Sequence, residues 1–432
     1  MENMVEEKNV IIIGSGVAGL AASYFLKKAG IPSVIYEGNS RPGGLSKSFS
    51  IGDYYFDYGG HCTFTKNKEI QEILESGVEY HESIAIGYNF KKQNWIKHPV
   101  QNNLYCLPKN EKIAILEDFI NKPQYESVQN YREWLLAAYG EYYTNNYPTL
   151  YTRKYWTVEP EQLETAWVGP RMYQSSLHEV LEGSFETDTP NVHYSNGIRY
   201  PKNGGFELFL TNMKKDAEIS CSKQAKKIDP DKKIIEFSDH TFVKYHTLIS
   251  TVPLPEYRKL LCNLNDEQIY AMEHLNYTSL TLISLGLKKV YDIPSTMFYI
   301  YDEDILPARV YSTTVMSGKG RQHISLQAEV YSSRFKPLTQ TMEEIKEQTI
   351  RQLIEMQVFK EEDLEVSDVR YEKYANIIFT PDIYDNRACV HELLRKQDIY
   401  YAGRFGDWDY LWTDQSMLSG KNAAMQIIER KK

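Results

Sequence analysis

The stretch NVIIIGSGVAGLAASYFL, residues 9–26, decides the fold of the first part of this 432-residue chain. Its apolar run VIII predicts a buried strand, and the residues after the glycines predict a helix. Between the two, Gly14, Gly16 and Gly19 form the pattern G-x-G-x-x-G. These glycines permit a tight turn, a close approach of the backbone to a pyrophosphate, and close packing of helix on strand. Ala18 lies at the helix N-terminus, where anionic phosphates are favoured, so the pattern predicts a dinucleotide site.

A second predicted strand, residues 32–36, ends at Glu37. Its carboxylate follows the glycines by about 20 residues, where an acidic residue binds a ribose hydroxyl in dinucleotide-binding folds. Strand, glycine turn, helix, second strand and acid occur in that order. A chance glycine turn is therefore the weaker interpretation.

Composition and charge exclude several classes of protein. The net charge is −9 and no basic run is present, which argues against a nucleic-acid partner. No apolar stretch reaches the roughly 18 residues of a membrane span, and the acidic start MENMVEEKNV is not a signal peptide. The five cysteines are scattered without a C-x-x-C pair, so we expect neither a disulfide framework nor a metal site. A reducing, cytoplasmic location fits this pattern best.

A second pair of glycines follows the acid, in RPGGLSKSF, residues 41–49. Rossmann dehydrogenases do not need such a pair at this place. The motif resembles the R-x-G-G element of amine oxidases and protoporphyrinogen oxidases, in which backbone amides approach the phosphates and ribityl chain of a flavin. The resemblance implies FAD as the cofactor. The residues that would hold it here are Arg41, Gly43, Gly44 and Leu45.

The C-terminal stretch YYAGRFGDWDYLWTDQSMLSGKNAAMQII, residues 400–428, predicts a strand, a loop and a helix. In flavoproteins of this kind the last strand and helix return to the first domain. The helix N-terminus would then point at the flavin, and its dipole would stabilise negative charge on the reduced ring. The residues expected near the cofactor are Arg404, Asp414, Gln415 and Ser416.

The predicted fold class is α/β, with a discontinuous Rossmann-type FAD-binding domain, an inserted helical domain and an antiparallel β-sheet substrate domain. Helical periods dominate residues 109–182, whereas β-branched and aromatic residues dominate 278–333 and predict an antiparallel sheet. A glycine turn opening a helix is predicted over 201–215. The predicted domains are 1–83 with 201–265 and 386–432 for FAD, 104–182 for the helices, and 84–103 with 183–200 and 266–385 for the substrate sheet.

Several separated motifs resemble the UDP-galactopyranose mutases, most closely the eukaryotic-type branch. FDYGGHCTFT resembles the GGH loop of that family and implies that Gly60 and His61 lie beside the flavin. NWIKHPVQNNLYCLP resembles its W-x-x-Y-P-x-Q-N-N element, whose glutamine, here Gln101, meets the uracil. His98 stands where that branch has tyrosine, and Val100 replaces an aromatic residue, so the sugar and base pocket differs.

Two further motifs carry arginines. YTRKYWTVEPEQLETAWVGPRM resembles the family segment with a nucleotide-stacking tryptophan, here Trp156, and a phosphate-binding arginine, here Arg171. LPARVYST resembles the strand with the second phosphate-binding arginine, here Arg309. Guanidinium forks suit phosphate oxygens, so these two residues could clamp a diphosphate. Arg171 could instead cap a helix, and Trp156 could belong to the core.

The resemblance implies a site of three catalytic residues within a larger substrate pocket. The catalytic residues would be His61, Arg171 and Arg309. The substrate-binding residues would be His98, Gln101, Tyr151, Trp156, Arg171, Arg309, Tyr311 and Tyr410. For Tyr311 and Tyr410 simple packing is an equal alternative.

The implied function is that of an isomerase, an FAD-dependent nucleotide-sugar mutase of polysaccharide biosynthesis. It would interconvert pyranose and furanose forms of UDP-galactose or a related NDP-sugar, through attack of reduced flavin N5 on the anomeric carbon. An external reductant, NAD(P)H or a reductase, would be needed, and an oligomer is possible. The alternative is an FAD-dependent oxidoreductase of the amine oxidase or protoporphyrinogen oxidase type. A non-catalytic flavin-binding or nucleotide-sugar-binding module is a third reading.

Overall fold

A computed structural model describes residues 6–192, 197–290, 297–320 and 322–430 of the chain. The strands are β1 Glu6–Ile13, β2 Ser33–Tyr36, β3 Ser48–Ile51, β4 Tyr54–Asp57, β5 Tyr80–Ser83, β6 Gly87–Lys91, β7 Asn94–Lys97, β8 Ile198–Pro201, β9 Glu218–Ser220, β10 Ala225–Asp229, β11 Ile234–Phe237, β12 Phe242–Ser250, β13 Tyr277–Lys289, β14 Met297–Ile300, β15 Arg309–Ser312, β16 Gln322–Ser332, β17 Leu364–Ile377 and β18 Ile399–Tyr401. The helices are α1 Val17–Lys28, α2 Lys68–Glu75, α3 Lys109–Ile120, α4 Tyr131–Tyr139, α5 Glu141–Asn146, α6 Pro148–Tyr155, α7 Leu177–Phe185, α8 Thr211–Lys214, α9 Tyr257–Leu260, α10 Asp266–His274, α11 Thr313–Met316, α12 Met342–Glu355, α13 Ile383–Lys396 and α14 Thr413–Arg430.

The first large sheet has the strand order β10-β11-β12-β1-β2-β9, and β18 pairs with β12. Strands β12, β1, β2 and β9 run parallel, as does β18. The run Val10–Ile13 is buried because β1 lies in the middle of this sheet. Strand β18 and helix α14 return to the start of the chain, which confirms the predicted discontinuous Rossmann-type domain. A Cβ atom added at Gly420 would lie 2.1 Å from the Ala18 carbonyl oxygen, so α14 and α1 meet at backbone contact.

The second large sheet has the order β17-β13-β16-β15-β14-β6-β7. Its pairs are antiparallel except for β14 with β6, which run parallel, so the predicted antiparallel sheet is mixed at one pair. The stretch ARVYSTTVM is not strand throughout, contrary to the prediction. Strand β15 ends at Ser312, whose side chain accepts a hydrogen bond from the Val315 amide and so begins the short helix α11.

Helices α3 to α7 form the helical part of the chain between the first strands of the second sheet and β8. The helix predicted within residues 201–215 is instead a 3₁₀ turn, Phe206–Leu210, followed by the single turn α8. The division into domains stays a prediction. Two contacts join segments that were assigned to different predicted domains. Strand β8 pairs with β5 in a separate two-stranded sheet, and α10 packs against α13. Among the described helices, none combines the length and apolar composition needed to cross a bilayer.

Candidate flavin site and aromatic cavity

The first glycine turn is shaped by contacts that only glycine permits. Gly14 has φ +93°, donates its amide to the Tyr36 carbonyl at 2.8 Å, and leaves no room for a Cβ beside Thr251. A Cβ at Gly19 would lie 2.0 Å from the Gly14 oxygen. Gly16 is the N-cap of α1 and has no side chain to cap the helix. The uncapped helix end therefore offers its amides to a phosphate.

The second glycine pair lies directly against the first. The Gly43 amide donates to the Ser15 carbonyl at 3.0 Å, and a Cβ at Gly44 would come within 2.9 Å of the Gly16 Cα atom. Backbone thus meets backbone at the α1 N-terminus, beside half-buried Leu45. This cradle fits the pyrophosphate and ribityl chain of FAD.

Glu37 is buried, and its carboxylate accepts four hydrogen bonds. The donors are the amide and hydroxyl of Ser15, at 2.9 and 2.6 Å, and the amide and side-chain nitrogen of Asn39, at 2.8 and 2.7 Å. Burial alone would raise the pKa of Glu37, but these hydrogen bonds lower it below its ordinary value. The ribose contact stays a prediction, and it requires the ligand to share an oxygen that Ser15 or Asn39 already uses.

Arg41 pairs with Glu207 at 2.9 Å and is more than half exposed. Glu207 also accepts the Ser48 amide at 2.9 Å, so the pair ties the second glycine turn to the 3₁₀ turn at 206–210. A contact between Arg41 and the cofactor stays a prediction.

The GGH loop, which we define as residues 58–61, is anchored through the buried Asp57. The Asp57 carboxylate accepts the Ser48 and Tyr200 hydroxyls at 2.5 and 2.7 Å and the Phe206 amide at 3.1 Å. Burial raises its pKa to about 6. The Gln327 side chain pairs with both backbone groups of Asp57. Residues 48, 57 and 206 are thereby held together, and the GGH loop starts from a rigid point.

His61 is half-buried, and its Nδ1 donates to the Gly59 carbonyl at 2.8 Å, because a carbonyl can only accept. Burial, together with the nearby Arg404 and Arg309, lowers the pKa of His61 to about 4, although the Gly59 hydrogen bond and Glu329 act in the opposite direction. The neutral ring therefore keeps a lone pair on Nε2. His61 can therefore accept a hydrogen bond, and its position beside the flavin stays a prediction.

An aromatic cavity of about 230 Å³ lies between the helical part and the second sheet. Its lining includes nine tyrosines and three tryptophans, so rings rather than aliphatic side chains form the walls. Of the predicted substrate-binding residues, this cavity brings together His98, Gln101, Tyr151, Trp156, Arg171, Arg309 and Tyr410. Tyr311 packs instead against Gly60 and is fully buried.

Arg171, in the 3₁₀ turn Gly169–Arg171, lies at one side of the cavity. Its guanidinium donates to the carbonyls of Trp167 and Tyr410 at 3.0 and 2.6 Å. It also stacks on the rings of Tyr410 and Trp412, with 4.5 and 4.6 Å to the ring centroids. These contacts fix a cation at the aromatic wall.

Arg309 lies on β15 and forms a bidentate pair with Glu329, directly opposite on β16. Its Nε and Nη2 donate to the two carboxylate oxygens at 2.8 and 2.9 Å. Burial alone would lower the pKa of Arg309, but the Glu329 carboxylate raises it well above its ordinary value. Nη1 takes no part in this pair.

The base-reading candidates are held by the helical part. The Gln101 oxygen accepts the Tyr143 hydroxyl at 2.7 Å, and its nitrogen donates to the Tyr173 carbonyl at 3.1 Å. The amide orientation is thus fixed, with one N–H and one oxygen lone pair remaining. His98 Nδ1 lies 3.2 Å from the Asn89 side-chain oxygen, and the His98 ring packs at a tilt against that of Tyr299, with 5.1 Å between the centroids.

The aromatic walls are continuous with the core. Tyr151 and Tyr155, one turn apart on α6, stack at 5.5 Å, and the Tyr155 hydroxyl lies 3.0 Å from that of Tyr410. Trp156 packs on Trp167 and Tyr410 and is 5% exposed. Trp156 is thus both a core residue and a cavity residue.

Arg404 and the start of α14 form the closing segment. Arg404 donates twice to the Leu411 carbonyl, at 2.9 and 2.7 Å, and to the Ala375 carbonyl at 3.1 Å. At the helix start, Asp414 accepts the Gln415 amide, and Gln415 accepts the Trp412 amide, both at 2.9 Å. Ser416 donates its amide to the Trp412 carbonyl. Arg404 therefore fixes the loop that carries Tyr410, and cofactor contacts of these four residues stay predictions.

Glu329, Tyr155 and Tyr299 are among the residues of the site that were not predicted. Glu329 lies in SLQAEVYSS, where a single acid among apolar strand residues was the available signal. Tyr155 follows Tyr151 by four residues and therefore shares its helix face. No sequence signal indicated Tyr299, which is placed at the cavity by the pairing of β14 with β6 and β15. No cluster of His, Cys, Asp or Glu suited to a metal ion occurs within the described ranges.

The comparisons with known proteins support the dinucleotide-binding site that the glycine turns predict. Residues 12–76 match the sequence profile of the NAD(P)-binding Rossmann-like domain, and residues 126–428 match that of the flavin containing amine oxidoreductases. The chain is therefore a flavoprotein with a Rossmann-like dinucleotide-binding domain, and the prediction of FAD is confirmed. Because the second match spans more than half of it, the chain belongs to the flavin containing amine oxidoreductase family.

Solved structures share the fold of this chain. Reduced UDP-galactopyranose mutase superposes with a TM-score of 0.89 over 98% of this chain and 96% of that chain, at 24% identity. Cyclohexylamine oxidase from Brevibacterium oxydans gives 0.71 over 98% and 99%, at 13% identity. These likenesses confirm the fold.

The curated relatives are matched over less than a third of their length. An L-amino-acid oxidase from Sistrurus catenatus edwardsii is 27% identical over 34% of this chain and 30% of its own. A 1-hydroxycarotenoid 3,4-desaturase from Flavobacterium sp. (strain P99-3) is 36% identical over 21% and 18%.

Proposed function

We propose that the protein is an FAD-dependent nucleotide-sugar mutase, which interconverts pyranose and furanose forms of UDP-galactose or a related NDP-sugar. One observation carries the proposal. Two arginines from distant parts of the chain, Arg171 and Arg309, line one aromatic cavity next to the GGH loop. The fold shared with reduced UDP-galactopyranose mutase supports it.

The two arginines would bind the diphosphate and stabilise its charge as it leaves the sugar. A guanidinium held in place before the reaction stabilises developing charge without reorganising. Arg171 is fixed by two carbonyls and two rings, and Arg309 by Glu329. Reduced FAD would supply the nucleophile for the anomeric carbon, so no net electrons would be transferred.

The aromatic walls would hold the base and keep water out. Tyr151 and Trp156 offer ring faces, and the fixed amide of Gln101 offers a donor and an acceptor for a base edge. The paired hydroxyls of Tyr155 and Tyr410 are polar groups that a sugar or phosphate can engage. Neutral His61 would accept a hydrogen bond at the flavin end rather than act as a cation.

The second candidate is an FAD-dependent oxidoreductase that acts on an amine or a related reductant. The family membership and the oxidase and desaturase relatives favour it. The two arginines in the cavity oppose it for amines, because they would repel an ammonium ion.

The test is a direct assay of purified holoprotein. Dithionite-reduced protein is incubated with UDP-galactofuranose, UDP-galactopyranose and a panel of other nucleotide sugars, and the products are separated by chromatography. Oxidised protein is the control. Ring-isomerised product from the reduced protein alone is the expected result. Peroxide formation on an amine, with no isomer from any nucleotide sugar, would establish the oxidoreductase instead.

The mutase requires a partner that reduces the flavin. We propose NAD(P)H or a reductase in this role. Anaerobic mixing with NADPH, followed by loss of the absorbance of oxidised flavin, tests the first of these.

A further inference from the structure

One buried carboxylate touches both ends of the proposed site. Glu329 is 1% exposed, and its oxygens accept four hydrogen bonds. Oε1 accepts Arg309 Nη2 at 2.9 Å and the Gly60 amide at 3.1 Å. Oε2 accepts Arg309 Nε at 2.8 Å and the Tyr331 hydroxyl at 2.7 Å. The same side chain therefore holds an arginine of the cavity and the backbone of the GGH loop.

The burial of Glu329 makes these bonds interdependent. A buried carboxylate is costly unless it is paired and hydrogen-bonded, and four donors fill its lone-pair positions. Arg309 provides the compensating charge. A change at the guanidinium therefore changes the charge that the Gly60 amide experiences.

The backbone of Gly60 is packed closely against the side chains of Arg309 and Tyr311. A Cβ at Gly60 would lie 3.3 Å from Arg309 Nη2 and 3.2 Å from the Tyr311 ring. The loop backbone thus packs directly on the guanidinium and on the same face of β15. His61 follows immediately in the chain, and Arg309 and Glu329 both act on its pKa.

We propose that Glu329 is a positioning residue that couples the nucleotide cavity to the flavin. A diphosphate at Arg309 competes with Glu329 for the guanidinium, the carboxylate redistributes its bonds, and the Gly60 amide transmits the change to the cofactor. This inference rests on the proposed function for the identity of the ligand.

The test compares wild-type holoprotein with Glu329→Gln and Glu329→Asp. UDP and inorganic pyrophosphate are titrated in, binding is measured by calorimetry, and the absorption spectrum of the bound oxidised flavin is recorded at each addition. In the wild type we expect the flavin spectrum to change in proportion to nucleotide bound. In both variants this spectral change is lost at full occupancy, and the dissociation constant for FAD rises about tenfold without ligand, since the Gly60 amide loses its charged acceptor.

Two variants make the result of this test interpretable. Glu329→Asp keeps the charge but is too short to reach both Arg309 and Gly60, so it tests the connection even if Glu329→Gln does not fold. Tyr331→Phe removes a different bond to Glu329 and is expected to retain the spectral response.

The possible outcomes distinguish a failure of the proposed coupling from a failure of the proposed function. The coupling alone would be overturned if the wild type bound nucleotide without a change in its flavin spectrum. It would also be overturned if both Glu329 variants responded as the wild type does. No binding of UDP or pyrophosphate by wild-type protein would sink the proposed function, and the coupling with it.

Discussion

At the scale of single residues, glycines of one motif carry different constraints. A Cβ at Gly19 would collide with the chain itself, whereas the nearest atom to a Cβ at Gly16 would be Gly44 Cα, 3.9 Å away. Gly19 is therefore required for packing. At Gly16 the requirement for glycine comes from the pyrophosphate that is expected to approach the turn.

We expect Gly16→Ala to preserve the fold and weaken FAD binding. The φ angle of −67° suits alanine, so the apoprotein is not strained. The added methyl stands where the pyrophosphate approaches, and the dissociation constant for FAD should rise on the order of tenfold, as for one lost charged hydrogen bond. Flavin fluorescence titration and the melting temperature of the apoprotein measure the two effects. Gly19→Ala is the comparison and should destabilise the apoprotein. An unstable Gly16→Ala apoprotein with normal FAD affinity would contradict this reading.

A second residue-scale prediction concerns His61 and pH. Its folded-state pKa of about 4 lies below the ordinary value of 6.5, so between these values the unfolded chain binds a proton that the folded chain does not. The free energy of unfolding therefore falls as the pH falls through this window. His61→Gln should lose less stability than wild type between about pH 7 and about pH 4.5, measured by urea unfolding.

The matched control for this prediction is His391→Gln. Burial also lowers the pKa of His391 to about 4, but its ring bonds Gly406 and stacks on Tyr401, outside the lining of the aromatic cavity. The His391→Gln variant should lose less stability at acidic pH than wild type, without a change in the spectrum of bound flavin. Asp57, with its pKa raised to about 6, gives a slope of the opposite sign, but equally in every variant. Equal acid sensitivity of His61→Gln and wild type would refute the assignment.

The sequence predicted which cations belong to the cavity but not what holds them. Arg171 and Arg309 were found because motifs carry them, and both line the cavity. Their partners, the Tyr410 carbonyl and Glu329, depend on a loop conformation and on the register of β15 against β16. Register is set by the whole sheet, so a local pattern does not contain it.

At the scale of elements, the contact of α1 with α14 brings the end of the chain to the cofactor turn. The contact depends on a helical glycine, Gly420, packed on the Ala18 carbonyl. Strong periodic patterns predicted these helices, the strands β1, β2 and β18, and the sheet within residues 278–333. The 3₁₀ turn at 206–210 and the helix α11 were missed, because a cap and tertiary hydrogen bonds decide them.

We expect Gly420→Ala to destabilise the protein and loosen FAD. In an exposed helix this change stabilises by up to about 1 kcal/mol, because alanine has the higher helix propensity. Here the Cβ would lie 2.1 Å from a carbonyl oxygen, so α14 must move and a loss of about 1–3 kcal/mol is expected. Urea unfolding and the fraction of protein that retains flavin after gel filtration measure the result. A stabilised variant would show that the two helices do not meet as described.

At the scale of the whole molecule, the cavity is assembled from distant parts of the chain. Helix α6, the turn Gly169–Arg171, strand β15 and the loop at Tyr410 all contribute. A protein of net charge −9 thereby places two guanidinium groups in one aromatic cavity. Such a local cationic site suits an anionic ligand despite the overall charge. The family membership alone favours an oxidase, and the two arginines are the observation that favours the proposed mutase.

The most direct test of this account is a double-mutant cycle on UDP binding. Calorimetry on oxidised holoprotein compares wild type, Arg171→Lys, Arg309→Lys and the double variant, with Arg153→Lys, an arginine on α6 paired with Glu159, as control. Lysine keeps the charge but loses the planar fork. If both arginines hold one diphosphate, each single change should weaken UDP binding about tenfold or more, with a coupling energy of about 0.5–3 kcal/mol between them, and the control should bind as wild type. UDP binding that neither Arg171→Lys nor Arg309→Lys alters, or no binding to the wild type, would contradict the account.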